Sequence, residues 1–588
     1  MPTTTTVTLK GGLWLLEDTP ADAVFTPEQL TDEHRLIRQT ADEFIAHEVM
    51  TALDRLEQKD WTLARELVRR CGELGLIGTD VPEPYGGVGL DKVSSIVVAE
   101  AIGLSASFAA AFGAQTGLSI MPLLLFGTRE QKERYVPRLT SGEIVGAYAL
   151  SESGSGSDAL AAKAHAVRQA DGSFLLNGEK MWITNGGFAD LIVVFAKIDG
   201  EHFSAFLVER GFPGVSSGKE EHKLGLHGSS TTPILLQDAK VPGENLLGEA
   251  GKGYKVAFNV LNYGRLKLAA MCSGGSKAVI GEASRYANQR KQFGQPIANF
   301  GAIKHKIGEM VARAYAVESM LYRTAGLIDG MLNAAGEHAL EGGPLLDALE
   351  EFAVEASILK VAASEALHYV LDENVQIHGG NGFVRDYPAE RHYRDSRVNR
   401  IFEGTNEINR LLIPGMLIRR ALKGSLPLIP AAKKLQDELV APPSMESAAG
   451  GPLAEEQRAV AAMKKLVLMV LGTAMQKYGV KLTDEQEVLC HAADLAIDAY
   501  AAESALVRAA RAGDDLSLAA ARVVVNDAVA RGELAARQAL AAMAEGDVLR
   551  TLLAALRRLV KVTPANTVAL RRQLANAALA RNAYPIGH

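Results

Sequence analysis

The chain has 588 residues, too many for one compact core, so several domains are expected. Its 48% hydrophobic and 22% charged residues are ordinary for a soluble protein, and a net charge of −7 argues against a general nucleic-acid binder, which carries basic excess. Cys71, Cys272 and Cys490 are too few and too far apart for a disulfide framework or a zinc site, which fits a reducing compartment.

Residues 1–24 read as a loose tail. The start, MPTTTTVTLKGG, lacks a charged segment followed by an apolar run, so no leader is expected. The longest apolar run, near 466–471, falls well short of the roughly 20 residues that cross a bilayer, and a cytoplasmic location is expected. From 25 to 145 the pattern is helical. Thr26 and Gln29 have the spacing of a capping box, VPEPYGG (81–87) breaks the helices, and another helical stretch covers 91–126. The period then changes. SFLLNGEKMWIT (173–184) reads as a hairpin about Asn177-Gly178, because both residues tolerate positive φ. LIVVFAKI (191–198), FSAFLVE (203–209) and TPILLQDAKVP (232–242) read as further strands, giving a β domain over 146–252. Helical periodicity returns over 253–425, broken near IHGGNGF (377–383). Residues 426–452, which end in APPSMESAAGGP, read as a linker. Residues 453–588 read as a second helical domain, with Val460, Met463, Val467, Val470 and Ala474 on one face.

Several segments could carry chemistry, and each has a plainer reading beside it. YALSESGSGSD (148–158) could hold a ligand through main-chain N–H groups, or be a surface loop; it is neither a Walker A loop nor a GxGxxG turn. Trp182 could lie against a flat ring, or belong to the core. Arg290 and Lys291 could meet phosphate, or end a solvated helix. Arg265, in an apolar helical stretch, needs an anionic partner, either a ligand or a neighbouring carboxylate. Glu403, between Ile401-Phe402 and Gly404, has the apolar company that raises a carboxyl pKa and makes a stronger base. By itself it reads rather as an ordinary loop or N-terminal-turn glutamate.

Taken in order over about 25–425, YALSESGSGSD, MWITNGG, LNYGR, NQRKQFG and RIFEGTNEI resemble the acyl-CoA dehydrogenases, and with the C-terminal extension most resemble the very-long-chain branch. The resemblance implies an α+β multidomain fold: an N-terminal helical domain, a middle β domain, a four-helix bundle and an extra C-terminal helical domain. It implies FAD as cofactor. Tyr148, Leu150, Ser151, Gly156 and Ser157 would line it, with Ser157 also near the CoA part of the substrate. Trp182, Ile183 and Thr184 would pack on its ring, and Thr405, Asn406 and Glu407 would contact it on the catalytic side. Arg290, Gln292, Phe293, Gln376, Gly379 and Gly380 would reach the FAD of the other subunit of a homodimer. Asn262 and Arg265 match positions near CoA, and Gly404 adjoins the substrate.

Glu403 matches the base that removes the α-proton of a fatty acyl-CoA while flavin N5 takes the β-hydride, giving trans-2-enoyl-CoA. Some relatives carry the base beside the Arg of LNYGR; here that position is Gly264. Electrons would pass to an electron-transfer flavoprotein. An acyl-CoA oxidase using O2 and a respiratory-complex assembly scaffold are the alternatives; nitroalkane oxidases place Asp where Glu403 stands. Ala110, Gly113 and Ala114 match the wall of the acyl pocket, and such small side chains point to long-chain substrates. Two departures stand out. Ser153 replaces the usual Pro of the FAD loop, which puts its rigidity in question. Residues 441–452 hold no Lys or Arg, so peripheral membrane association has no support from the sequence.

Overall fold

The computed structural model describes residues 10–440, 451 and 453–587. Apart from Gly451, the 441–452 segment lies outside them. In the N-terminal region Thr26 starts only a 3-10 turn, Pro27–Gln29, in which Gln29 Oε1 accepts from the Thr26 N–H at 2.9 Å. The first α-helix, Asp32–Phe44, is capped instead by Thr31, whose Oγ1 accepts from His34 N. Trp61–Glu73, Lys92–Ile102, Ala106–Gly113, Met121–Phe126 and Arg129–Thr140 complete this layer. Between Ala106–Gly113 and Met121–Phe126 the chain widens into a π turn, Ala114–Ile120. The stretch from Ala106 to Phe126 is long and apolar enough to cross a membrane, as is that from Ala454 to Asp484, but 83% and 67% of their apolar windows are buried inside the protein.

The tail expectation fails from residue 10 onward. Trp14 is buried and its Nε1 donates to Glu355 Oε1 at 2.9 Å, while Gly12 N donates to the same oxygen at 2.7 Å. Arg323 Nη2 donates to Thr19 Oγ1, and Lys464 Nζ to the Glu17 carbonyl. The LWLL run has no periodicity to announce a helix, yet burying its indole and leucines offsets the entropy of ordering it.

The middle domain is an eight-stranded sheet. Its strands are β1 (Gly146–Ala149), β2 (His165–Arg168), β3 (Phe174–Thr184), β4 (Leu191–Ile198), β5 (His202–Glu209), β6 (Val215–Ser217), β7 (Thr231–Val241) and β8 (Leu246–Leu247). The order is β6-β7-β3-β2-β4-β5-β8, with β1 parallel to β4. The expected hairpin at Asn177-Gly178 is not there: β3 runs through it unbroken. Gly178 sits at φ 149, its absent Cβ leaving room for Ala164, at a register shift against β7. The residues that suggested a turn instead make a bulge, which needs the same conformational freedom.

The helices Gly253–Gln289, Gly301–Ala335, Ala353–His378 and Asn406–Leu422 form the bundle. Residues 428–440, expected to be linker, are helical and bury Leu428 and Leu435. The C-terminal helices Ala454–Tyr478, Gln486–Ala512, Asp515–Met543, Gly546–Leu559 and Thr567–Arg581 share one continuous apolar core with the bundle, the N-terminal helices and one face of the sheet (Leu191, Val193, Phe195), whereas the sheet's other face (Ile192, Val194, Ala196) packs in a second core. Ion pairs also join them: Arg508 to Glu318 at 2.7 Å and Arg323 to Glu503 at 2.8 Å, all four buried.

Candidate active site

Glu403 stands where two helical elements meet, after the 3-10 turn Arg397–Arg400 and before the Asn406–Leu422 helix. Thr405 caps that helix through Ile408 N. Glu403 has φ 57 and Gly404 φ 78, so two successive residues are left-handed, a conformation that is costly for a residue with a side chain and persists only where its surroundings enforce it. The enforcement is visible. Arg265 Nε donates to the Glu403 carbonyl at 3.2 Å, Asn409 Nδ2 to the Gly404 carbonyl at 2.9 Å, and Lys360 Nζ to that carbonyl at 2.7 Å.

The turn sends the carboxyl toward Gly264. A Cβ added there would stand 3.0 Å from Glu403 Oε2, so this glycine makes room for the carboxyl rather than merely lacking a rival to it. Oε2 is shut off from solvent and has no hydrogen-bond partner, although the residue as a whole is only half-buried. Burial pushes the carboxyl up to about 7, against the opposing pull of Arg265 and Lys360. Burial in turn pushes the Arg265 guanidinium down to about 10.

The carboxyl stands in the wall of a cavity. Thr184 and Gly264 adjoin it, Ala110, Gly113, Ala114 and Gly117 form one side, and Leu268, Met271, Gly275 and Val279 the other. Leu367 and Leu371 line it too. The second of these sides is one face of the Gly253–Gln289 helix, read at steps of three and four residues. The π turn is tied to the sheet by Gln115, which donates to the carbonyls of Leu139 and Ile144 and accepts from Gly146 N.

Beside the cavity, Trp182 is 55% exposed at φ 59, at a second register shift in β3, with Ile183 buried behind it. Tyr148 hydroxyl reaches the Ala257 carbonyl, and burial raises its pKa, with Glu403 adding to the effect. Leu150 and Ser151 are half-buried, and Met181 N donates to the Ser151 carbonyl; Gly156 and Ser157 are exposed. The loop is firm despite Ser153. Glu152 pairs with the buried Lys180 at 2.7 Å and accepts from Lys163 N and Ala164 N. Arg290, Gln292 and Phe293 project from a short hairpin after the Gly253–Gln289 helix, Phe293 being 92% exposed. Gln376, Gly379, Gly380 and Glu407 are exposed too.

Three of the residues expected to contact a ligand are also bonded within the chain. Asn406 is buried, and its amide bonds Lys360 and Glu365, which holds the turn. Asn262 and Arg265 are buried and bond each other at 3.0 Å, and Arg265 then bonds the carbonyl of Glu403. The partner that Arg265 required is a backbone oxygen. Sequence reasoning missed Lys180, Lys360 and Asn409, whose only signal was a charged or amide side chain inside an apolar helical or strand pattern.

Comparison with known proteins decides the family. The models for the acyl-CoA dehydrogenase N-terminal, middle and C-terminal domains match residues 31–143, 147–239 and 251–417, and a second C-terminal domain model matches 462–558. A probable acyl-CoA dehydrogenase of Bacillus subtilis (strain 168) is 48% identical over 96% of this chain and 97% of its own. The chain belongs to the acyl-CoA dehydrogenase family. The crystal structure of an acyl-CoA dehydrogenase complexed with FAD from Bacillus anthracis is 47% identical and superposes with a TM-score of 0.96, covering 98% of this chain and all of that one. The human mitochondrial very long-chain specific acyl-CoA dehydrogenase is 39% identical over 62% of this chain and 53% of its own. The acyl-CoA dehydrogenase fold, extra C-terminal domain included, is thus the one expected from the sequence.

Proposed function

We propose that this acyl-CoA dehydrogenase acts on long-chain acyl-CoA, with FAD as its resident cofactor and Glu403 as the base for the α-proton. One observation carries the reading: Glu403 Oε2, buried and without a partner, at an apolar cavity walled by Ala110, Gly113 and Ala114. The chain fits a flat-ringed dinucleotide. Trp182 offers an exposed face, Thr184 lines the cavity that holds the carboxyl, and Gly154 and Gly156 leave open space where a Cβ would stand. When bound, FAD supplies the acceptor for the hydride from Cβ.

The chain's own groups handle the proton. A carboxyl held near 7 is poised for neutral pH, and no hydrogen bond spends the basicity of its Oε2. The Glu403 N–H, bonded to no backbone carbonyl among the described residues, is placed to stabilise the enolate oxygen that develops as Cα–H breaks. The product is trans-2-enoyl-CoA. The exposed Phe293 hairpin supports a homodimer in which it reaches the cofactor of the second subunit. In this reading the enzyme is cytoplasmic and its electrons leave to an electron-transfer flavoprotein.

Anaerobic titration of the purified flavoprotein with acyl-CoAs of graded length tests this. The flavin band is expected to bleach, faster with palmitoyl-CoA than with butyryl-CoA. The reverse order overturns the chain-length reading, and rapid peroxide formation in air with substrate alone overturns the electron-transfer one.

A further inference from the structure

We propose that Lys360 is a positioning residue for the base: it clamps the left-handed turn that aims Glu403 and sets a positive charge against its carboxylate. The inference rests on Glu403 being the base.

Lys360 lies on the Ala353–His378 helix, wholly buried, and Nζ donates to the Gly404 carbonyl and to Asn406 Oδ1, both at 2.7 Å. Among the described residues it hydrogen-bonds no carboxylate. The other lysines buried as deeply differ. Lys92 pairs with Asp80, and Lys180 with Glu152, each at 2.7 Å. Burying an ammonium without a paired anion is costly, and bonding two neutral oxygens needs only a neutral amide or hydroxyl. The charge therefore has a use other than holding the turn.

The carboxylate that it acts on most is Glu403, and Glu403 in turn raises the Lys360 pKa against burial. The charged and titratable groups around Glu403 are few. Arg265 comes from the Gly253–Gln289 helix, as does Lys267 in the cavity wall; His392 in that wall comes from the Ala389–Ser396 helix, Tyr148 from β1, Glu407 from the Asn406–Leu422 helix, and Lys360 from its own. Only Arg265 and Lys360 pull the carboxyl pKa down against burial. Arg265, at about 10, keeps its charge well past neutrality. Lys360 does not, because burial brings its own pKa to about 8, so it loses its charge as the pH rises past neutrality.

The clamp and the charge separate in two variants. Lys360→Gln keeps a donor for Gly404 but is neutral; Lys360→Arg keeps the charge. Flavin reduction by acyl-CoA is followed against pH, and the Glu403 carboxyl is followed by infrared difference spectroscopy, with Glu403→Gln marking its band. In Lys360→Gln both the acid limb of the rate and the infrared midpoint are expected to move up by about one pH unit, with the rate at pH 7 down roughly fivefold and recovering above pH 8.5. Lys360→Arg is expected to stay within a few tenths of a unit of wild type. An unmoved infrared midpoint in Lys360→Gln, or an equal move in both variants, overturns the proposal. If Glu403→Gln reduces flavin at the wild-type rate, the base reading falls instead, and the infrared midpoint still decides whether Lys360 sets that carboxyl.

Discussion

Glu403→Gln is expected to slow flavin reduction by acyl-CoA about a thousandfold while leaving acyl-CoA binding within a few-fold of wild type. The amide fills the same space and cannot accept the α-proton, so the loss is that of a general base. A second expectation separates this from a damaged fold. The folded protein holds the carboxyl at about 7, against about 4.5 for an ordinary glutamate, so folding favours its protonated form. That contribution is fully present below pH 4.5 and is lost as the pH rises through 7, leaving an ionised, buried group that costs on the order of 3 kcal/mol at pH 8. Gln carries no such cost. The variant is therefore expected to melt above wild type at pH 8 and level with it at pH 4. A variant that reduces flavin normally refutes the base assignment; one that melts below wild type at pH 8 refutes the account of the carboxyl as desolvated. Ordinary acid–base groups are stabilised by their surroundings, and this one is kept at the expense of stability.

What the sequence makes legible here is the part that follows from chain order. Glu403 and Trp182 fall in ordered motifs, Ala110, Gly113 and Ala114 match a pocket wall by their small size, and the structure brings Glu403, Thr184, Ala110, Gly113 and Ala114 to one cavity. What stays hidden is the support beneath them. Lys360 sits in an apolar helical run 43 residues before the base, and only the folded bundle shows its ammonium under Gly404. Asn406 belongs to the motif, but whether its amide turns toward a ligand or toward Lys360 is a matter of rotamer, which no motif encodes. The Gly178 bulge and the buried Trp14 have the same explanation. Local propensity reports which conformations are permitted, and long-range packing chooses among them.

Substrate length is the other property on which a single side chain has a large expected effect. Gly113→Leu is expected to lower kcat/KM for palmitoyl-CoA about a hundredfold and to leave butyryl-CoA within about threefold. The position is helical, at φ −63, so a side chain is tolerated there, and replacing a helical glycine is itself stabilising by up to about 1 kcal/mol. The first atom a Cβ would meet is the methyl of Met271 in the opposite wall, 3.5 Å away and in ordinary contact, so the rest of an added isobutyl group must displace Met271 or the acyl tail between the walls. An acyl tail displaced by about four methylenes loses roughly 3 kcal/mol at about 0.8 kcal/mol each, which is the hundredfold. A four-carbon chain that ends before Gly113 loses nothing. Met271 is flexible and can yield to a small group, so Gly113→Ala is expected to change little for either substrate. Equal losses with both substrates in Gly113→Leu would mean that the helix has shifted and carried the base's surroundings with it. An unchanged palmitoyl-CoA rate would mean that the tail leaves Glu403 by another route than the wall of Ala110, Gly113 and Ala114, and the long-chain reading would then have lost its physical basis.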